Sequence, residues 1–309
     1  MSDAVSIPAP PIAPSNSPAS PEQLQRTDWQ DLQQQHELRA DALTHTYREY
    51  RAAGRKHAID DFLFTYYSYK PAVLRRWHPG IDRSLVEAAS WQDKRWYRAD
   101  ASGNVSVDAA AYLSEKTELV RSIEELSEAV LERPARFGCF GLHEWAMVYR
   151  QDEHRHPVPL RLGQRGTDAV VESHQISCSH YDAFRFFTPE ARPRNALQPT
   201  RQTQCALDQA GCLHANMDLY KWCIKLGPLV PGELLLDAFE LAREIRWVDM
   251  QASPYDVSDY AVPAIAIETP EGKAEYVRLQ REFAARGQVI RTRMLDVIRA
   301  ARQVAAISS

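Results

Sequence analysis

Three long stretches of the sequence repeat apolar residues every three or four positions, which is the spacing of one face of an α-helix. These stretches are Val107–Arg133, Pro231–Met250 and the segment from Thr269 to about Val304. Pro134 predicts the end of the first helix, and Pro270 suits the first turn of the last one. Helices that each bury one apolar face pack against one another, so the pattern predicts a mainly α protein.

A small β component is also expected, which makes the predicted fold class α+β with helices dominant. Short strands are predicted at Val158–Leu162 and at Ala169–Ser177. The pair Gly103-Asn104 predicts a turn that follows a further strand. A helix is predicted at Pro21–Ala53, and Gly287 is a candidate break in the last helix.

The composition is that of a globular protein. The chain has 309 residues, of which 44% are hydrophobic and 25% are charged, so it can bury a sizeable core. Residues 1–20 are rich in Pro, Ser and Ala, a composition that predicts a disordered tail. Residues 21–309 are therefore expected to form a single, mostly helical domain.

The sequence also predicts the cellular location of the protein. No apolar run approaches the roughly 20 residues of a membrane span, and the N-terminal residues lack the pattern of a secretory signal. The five cysteines, an odd number, are typical of reduced thiols. A cytoplasmic location without a membrane partner is expected. Since the net charge is −4, any contact with nucleic acid must come from a local basic patch.

The segment 136–222 is the predicted site-bearing region. It contains, or lies next to, all five cysteines and six of the ten histidines of the chain, and it is dense in aromatic and charged residues. Titratable side chains that occur together among aromatic residues are typical of a functional site. The six histidines are His143, His154, His156, His174, His180 and His214.

His143 and Glu144 follow a glycine turn in which the backbone can approach a ligand closely. They do not form the zinc-binding motif HExxH, because Met147 stands where that motif has its second histidine. Both remain candidates for acid–base catalysis, as does His180.

A divalent metal is a second possibility, because dispersed histidines and a carboxylate can bind an ion without tight sequence spacing. Paired cysteines with the spacing of a structural zinc site are absent from the sequence. The candidate metal ligands are His174, His180, His214 and Asp218. We expect these three histidines to converge with His143 on one cleft, together with Glu144, Asp182 and Asp218.

Five blocks of the sequence are similar to a known bacterial family. They read DFLFTYYSYKPAVLRRWHPG, GCFGLHEWAMVYR, LRLGQRGTDAVVESHQISCSHYDAFRFFTPEARPRN, GCLHANMDLYKW and IRWVDMQASPYDVSDY. Through these blocks the chain, from about Asp41 to Arg291, resembles a family common in actinobacteria whose members are named 3-methyladenine DNA glycosylase. The resemblance implies removal of alkylated purine bases from damaged DNA, without a cofactor.

Under this glycosylase hypothesis a carboxylate supports the glycosidic transition state while aromatic rings stack on an extruded cationic base. Asp182 or Asp249 would supply the carboxylate. The candidate substrate contacts are Trp145, Tyr181, Arg185, Asn216 and Lys221, of which the two aromatic residues would stack on the base.

Three functions are therefore open at the level of sequence. They are a DNA glycosylase, a metal-dependent enzyme that acts on a small-molecule substrate, and a non-catalytic helical binding protein. The sequence has no Gly-rich phosphate loop, no GxSxG nucleophile elbow and no dinucleotide-binding fingerprint, which excludes the enzyme classes that depend on those motifs.

Overall fold

The computed structural model describes residues 21–152, 154 and 158–307 of the chain. The predicted disordered tail at 1–20 and His156 lie outside these ranges. The predicted fold class is confirmed, because helices dominate and the strands form one small sheet. The longer helices are α1 (Arg26–Leu43), α2 (His45–Ala52), α5 (Ala109–Glu132), α7 (Gly163–Ser173), α10 (Leu213–Lys225), α11 (Gly232–Gln251) and α12 (Pro270–Ile307).

Short helices connect these elements. They are α3 (Asp61–Tyr66), α4 (Pro71–Leu74), α6 (Leu142–Ala146), α8 (Tyr181–Phe184) and α9 (Gln204–Leu207), together with single 3₁₀ turns at Ala89–Trp91, Arg192–Arg194, Gly227–Leu229 and Ser258–Tyr260.

Four three-residue strands form the sheet, in the order β1-β2-β4-β3. β1 pairs with β2 in parallel, whereas β4 pairs antiparallel with both β2 and β3. Gly103, with a φ of +81°, lies in the turn between β3 and β4, as the sequence predicts. The strands are β1 (Glu22–Leu24), β2 (Arg83–Leu85), β3 (Tyr97–Ala99) and β4 (Val105–Val107).

The long amphipathic helices build the core. Asp108 accepts a hydrogen bond from the backbone of Ala111 and thereby caps α5. α5 packs on α12, and α10 packs on both α11 and α12. Nine of the 13 residues of α10 are buried, so this helix lies at the centre of the packing. No helix in the described ranges has both the length and the apolar character needed to cross a bilayer.

Three predictions of secondary structure, two strands and the bounds of one helix, are wrong. Residues 163–173 form α7 rather than a strand, because Thr167, Val170 and Val171 have helical spacing and bury one face. Around the predicted strands only isolated bridges remain, at Leu160 and Ile176. The predicted helix from Pro21 begins later, at Arg26, and Thr44 divides it into α1 and α2.

Gly287 does not break the last helix, which is continuous from Pro270 to Ile307. A β-carbon at this position would lie 2.4 Å from Oδ1 of Asn216 on α10. The glycine therefore allows α10 and α12 to approach closely, and this packing is the reason that it is tolerated within a helix.

Candidate functional site

Polar side chains from three helices meet inside the core with the side chain of His180, the residue that precedes α8. Each of these residues is at most 5% exposed. Burial of so many ionisable groups is favourable only when they pair with one another or with a ligand. They are His143 and Glu144 of α6, His180 before α8, His214 and Asp218 of α10, and Arg246 and Asp249 of α11. We call His143, His180 and His214 the histidine cluster.

A strained turn positions α6. Phe140 and Gly141 both have positive φ, at 47° and 70°. Such a conformation is uncommon for a residue other than glycine, and it is frequent near functional sites. Because the chain reverses here, the short helix that follows places His143 and Glu144 inside the core.

The side chains of α6 and α11 form the first half of the site, in which Asp249 links His143 to Arg246. Its Oδ1 lies 2.9 Å from Nε2 of His143, and its Oδ2 accepts a hydrogen bond from Arg246 at 3.1 Å. Nη1 of Arg246 also donates to Glu144 at 2.7 Å. On the other side of the imidazole, Sγ of Cys139 lies 3.6 Å from Nδ1 of His143. The imidazole is therefore held between a thiol and a carboxylate.

The pairing of His143 with Asp249 shifts the pKa of both groups. Burial alone disfavours the imidazolium, but the adjacent Asp249 carboxylate prevails and raises the pKa of His143 well above its usual value. Burial likewise opposes ionisation of Asp249, yet the charge and hydrogen bond of His143 bring the pKa of this carboxyl below its usual range. At neutral pH the pair is an imidazolium beside a carboxylate.

The second half of the site consists of His180 and Asp218 with their hydrogen-bond partners. Nδ1 of His180 lies 3.0 Å from Oδ1 of Asp208, while its Nε2 is 3.9 Å from Oδ2 of Asp218. Asp218 accepts hydrogen bonds from Lys221 at 2.5 Å and from the Tyr67 hydroxyl at 2.9 Å. Despite its burial, the pKa of His180 is raised, chiefly by Asp208. Burial opposes the charge of Asp218, but Lys221 and His180 lower its pKa.

His214 lies between the two halves. Its ring is perpendicular to that of His143, with centroids 4.6 Å apart, and nearly parallel to that of His180, at 5.5 Å. Burial and the neighbouring His143 lower the pKa of His214 well below its usual value, so this ring is neutral. Among the described residues no hydrogen bond reaches either of its ring nitrogens.

Partly exposed residues around Asp182 border the second half of the site, and we call this border the half-exposed margin. Asp182 pairs with Arg185 at 3.1 Å, three residues further along the chain. Nζ of Lys221 lies 3.8 Å from Asp182 and 4.1 Å from the ring centroid of Trp222. The guanidinium of Arg201 lies 6.0 Å from the ring centroid of Tyr181. Aromatic rings and cations therefore alternate around the Asp182 carboxylate.

The structure separates three of the predicted site residues from the cluster. Nδ1 of His174 lies 2.7 Å from the Val170 carbonyl oxygen, at the end of α7, and within the described residues no contact joins it to the other three histidines. Asn216 is fully buried and bonds to Arg291 of α12 and to the Ala210 carbonyl oxygen, so it serves helix packing.

Trp145 is also corrected. It is completely buried, and its indole N–H donates to the carbonyl oxygen of Ala252 at 2.8 Å. A ring enclosed by the core presents no face on which a base could stack. Tyr181, in contrast, is half-buried at the margin.

Sequence reasoning missed Asp208, Arg246 and Tyr67, each of which contacts the site directly. A signal for Arg246 was present in the sequence. It lies with Asp249 on the buried face of α11, and charged residues on an apolar helix face are typical of a functional or paired group. That face continues the spacing of Leu235, Phe239 and Ala242.

Two sets of side chains have the geometry to hold a metal ion. In each set the candidate ligand atoms lie within 4.8 Å of one another. One set is His143, His214 and Asp249, and the other is His180, Asp182 and Asp218. In the second set Nε2 of His180 is buried without a hydrogen-bond partner among the described residues. Since buried polar atoms are nearly always paired, a bound ion fits this position.

The buried charges of the site balance one another. Within the described parts of the chain, the cations Lys221 and Arg246 form ion pairs with three of the four buried carboxylates, and the fourth, Asp208, faces His180. Since the pKa values of His143 and His180 are raised, these two histidines balance the two negative charges that remain, and a divalent cation would bind His180 only with loss of its proton. The carboxylates are Glu144, Asp208, Asp218 and Asp249.

Comparison of the chain with protein-family models, with curated proteins and with solved structures finds no match. The resemblance to the glycosylase family therefore remains an expectation from the five sequence blocks. The case for a function depends on the geometry of the site.

Proposed function

We propose that the chain is a metal-dependent enzyme that acts on a small-molecule substrate at the histidine cluster. The observation that carries the proposal is the set of His180, Asp182 and Asp218. Two donor atoms bound to one ion at about 2.1 Å lie roughly 3–4 Å apart, and Nε2 of His180 lies 3.9 Å from Oδ2 of Asp218. One imidazole and two carboxylates suit a divalent first-row ion.

Lys221 would compete with an ion for this site. Its ammonium group contacts the same Asp218 oxygen that faces His180, at 2.5 Å, and lies 3.8 Å from Asp182. The ion would polarise a substrate oxygen or a water molecule. Displaced from Asp218, Lys221 would be free to contact an anionic part of the substrate at the half-exposed margin.

His143 supplies acid catalysis in this proposal. Asp249 keeps its imidazole protonated, and Arg246 fixes the orientation of Asp249. A buried imidazolium is able to donate a proton to a leaving group, and His214 is the only ring between His143 and His180 for which the described residues show contacts to both. Glu144 acts indirectly, because its hydrogen bond holds Arg246 in place.

Metal analysis of the purified protein tests the proposal. After purification without chelator and reconstitution with Zn²⁺, Mn²⁺ or Fe²⁺, we expect about one ion per chain by mass spectrometry. His180→Ala and Asp218→Asn should weaken metal binding by at least about 10-fold. His45→Ala is the control, since this histidine is exposed on α2. Circular dichroism verifies the fold of each variant, and a folded wild-type protein that binds none of the three ions would contradict the proposal.

A second candidate is the removal of alkylated purines from DNA, which the family resemblance implies. One observation favours it, namely the alternation of cations and aromatic rings around Asp182 at the half-exposed margin. Cations there would contact phosphates, and Tyr181 would stack on an extruded base. Asp182 would then be the carboxylate that supports the transition state.

Base release from a methylated duplex separates the two candidates. A glycosylase should release 3-methyladenine in the presence of EDTA, and its affinity for DNA should fall steeply with salt. Asp182→Asn should abolish release, whereas Asp296→Asn, an exposed residue of α12, should not. If neither a metal ion nor a released base is detected, a non-catalytic binding protein is the reading that remains.

We also propose a cytoplasmic location. All five cysteines are free in the structure, and free thiols persist in a reducing compartment.

A further inference from the structure

A cavity of about 600 Å³ lies apart from the histidine cluster, between the β3 region and the C-terminal end of α10. Four aromatic side chains line it, namely Trp77, Trp91, Trp96 and Tyr97. Apolar groups from the other side complete the lining, among them Ile224, Pro228 and Leu235. Such a volume and lining are typical of a site for a small molecule.

The aromatic walls are fixed by contacts among themselves. The Trp91 ring meets those of Trp77 and Tyr97 edge to face, with centroids 5.6 and 5.2 Å apart. His78 stacks on Tyr97 and lies 2.7 Å from its hydroxyl. Because burial lowers the pKa of His78 to about 3, this ring is neutral. The aromatic walls are therefore rigid, and His78 adds no charge to them.

Trp96 is held in a strained conformation at the cavity. Its φ is +64°, in the left-handed region that bulky residues rarely adopt. The indole N–H donates to Glu115 at 3.0 Å, and the ring meets Tyr112 edge to face at 5.0 Å. Strain that the surrounding structure maintains is frequent where a side chain must be aimed at a ligand.

The charged residues of the lining are all cations. They are Arg76, Lys94 and Arg95, and among the residues that the structure describes no acidic side chain lines the cavity, although the chain as a whole has a net charge of −4. Arg95 pairs with Glu115. Within the described residues neither Arg76 nor Lys94 has an ion-pair partner. Nζ of Lys94 instead lies 3.1 Å from the ring centroid of Trp91.

Arg76 and Lys94 line the same cavity. Burial, and then the charge of Arg76, lower the pKa of Lys94. An anion placed between the two cations would relieve this repulsion. The lining thus combines an apolar, aromatic interior with two cations that have no ion-pair partner among the described residues.

We propose that this cavity binds a small planar aromatic carboxylate. The ring would lie among Trp77, Trp91 and Trp96, and the carboxylate would pair with Arg76 and Lys94. Guanidinium and ammonium groups recognise carboxylates, and the half-buried indole of Trp96 supplies stacking surface. The proposal does not depend on the reaction at the histidine cluster, because none of the three histidines lines the cavity.

Two matched probes test it. Naphthalene-1-acetate carries the ring and the carboxylate, whereas naphthalene-1-acetamide has the same shape without the charge. Titration of the full chain, followed by tryptophan fluorescence and by calorimetry, should give at least 10-fold tighter binding of the acetate. The difference should diminish in high salt, because charge pairing is screened.

Variants locate the binding site. Arg76→Gln combined with Lys94→Gln should reduce acetate affinity to that of the amide and leave amide affinity unchanged. Arg55→Gln combined with Lys56→Gln removes the same charge from exposed residues outside the cavity and should change neither affinity. Equal affinities for the two probes, no binding at millimolar concentration, or equal losses in both double variants would overturn the proposal.

Discussion

Asp249 has no exposed surface and yet carries a full charge. Two cationic groups make this possible, since His143 and Arg246 each hydrogen bond to one of its oxygens. At Asp218 one cation, Lys221, and one neutral donor, the Tyr67 hydroxyl, each hydrogen bond to one carboxylate oxygen. A charge buried in this way is stable only while its partners stay protonated, so the site is sensitive to single substitutions and to pH.

The His143→Gln variant measures this sensitivity. Asp249 raises the pKa of His143 above the value of about 6.5 that it has in the unfolded chain. The stabilisation from this pair is therefore fully present below pH 6.5 and is lost as pH rises towards the folded-state pKa. The difference in unfolding free energy between wild type and variant should shrink above pH 6.5 by at most about 1.4 kcal/mol per pH unit.

Urea unfolding at pH 6 and pH 9 provides the measurement. His45→Gln, at an exposed position of α2, serves as the control and should show no such trend. A difference between wild type and His143→Gln that grows with pH would mean that His143 is neutral in the folded protein.

At the level of helices, the close packing of α10 against α12 requires a glycine at position 287. A methyl group at Gly287 would meet Asn216, whose Oδ1 already accepts a hydrogen bond from Arg291 at 3.2 Å. Gly287→Ala should lower the unfolding free energy by about 1–2 kcal/mol, because overpacking outweighs the higher helix propensity of alanine.

Chemical unfolding checks this prediction. Gly138→Ala is the control, since a β-carbon there would meet nothing within 4 Å. Adding Asn216→Ala to Gly287→Ala removes the obstructing atoms, so the double variant should lose less stability than the two single variants together. Strict additivity would show that Asn216 is not the obstruction.

The helices also show what the sequence can and cannot predict. α5 and α11 follow from apolar spacing alone, because each buries one continuous face. The sequence of α7 predicts a strand, because its few apolar residues are adjacent to polar ones, and only the packing decides which period applies. Segment 136–222 supplies five of the seven residues that meet in the buried site, and Arg246 and Asp249 lie outside it.

Its pairings, however, could not be derived from spacing. The partner of His180 lies 28 positions away, at Asp208, and the partner of His143 lies 106 positions away, at Asp249. Contacts at such separations are set by how the helices pack, which a single sequence does not specify.

One helix joins the two candidate sites of the molecule. α10 carries His214 and Asp218 in its first half, whereas Cys223 and Ile224 in its last turn line the aromatic cavity. A buried, well-packed helix moves as a unit. The two sites therefore share a rigid element, although they recognise different chemistry.

The histidines of the whole molecule predict an optimum in its stability near pH 6.5. Four histidines are buried and have lowered pKa values, so the unfolded chain takes up protons more readily and the stability of the fold decreases below pH 6.5. Two histidines have raised pKa values, so the folded protein keeps their protons to higher pH and the stability of the fold decreases above pH 6.5. The first set is His36, His57, His78 and His214, and the second is His143 and His180.

Melting temperatures between pH 4.5 and pH 9 should therefore trace a curve with its maximum close to pH 6.5. His78→Gln should flatten the acid side, because the folded-state pKa of this residue, about 3, leaves it neutral across that range. His143→Gln should flatten the alkaline side only. A melting temperature that rises or falls steadily through pH 6–7, or a His78→Gln variant that changes the alkaline side instead, would contradict this assignment of charge.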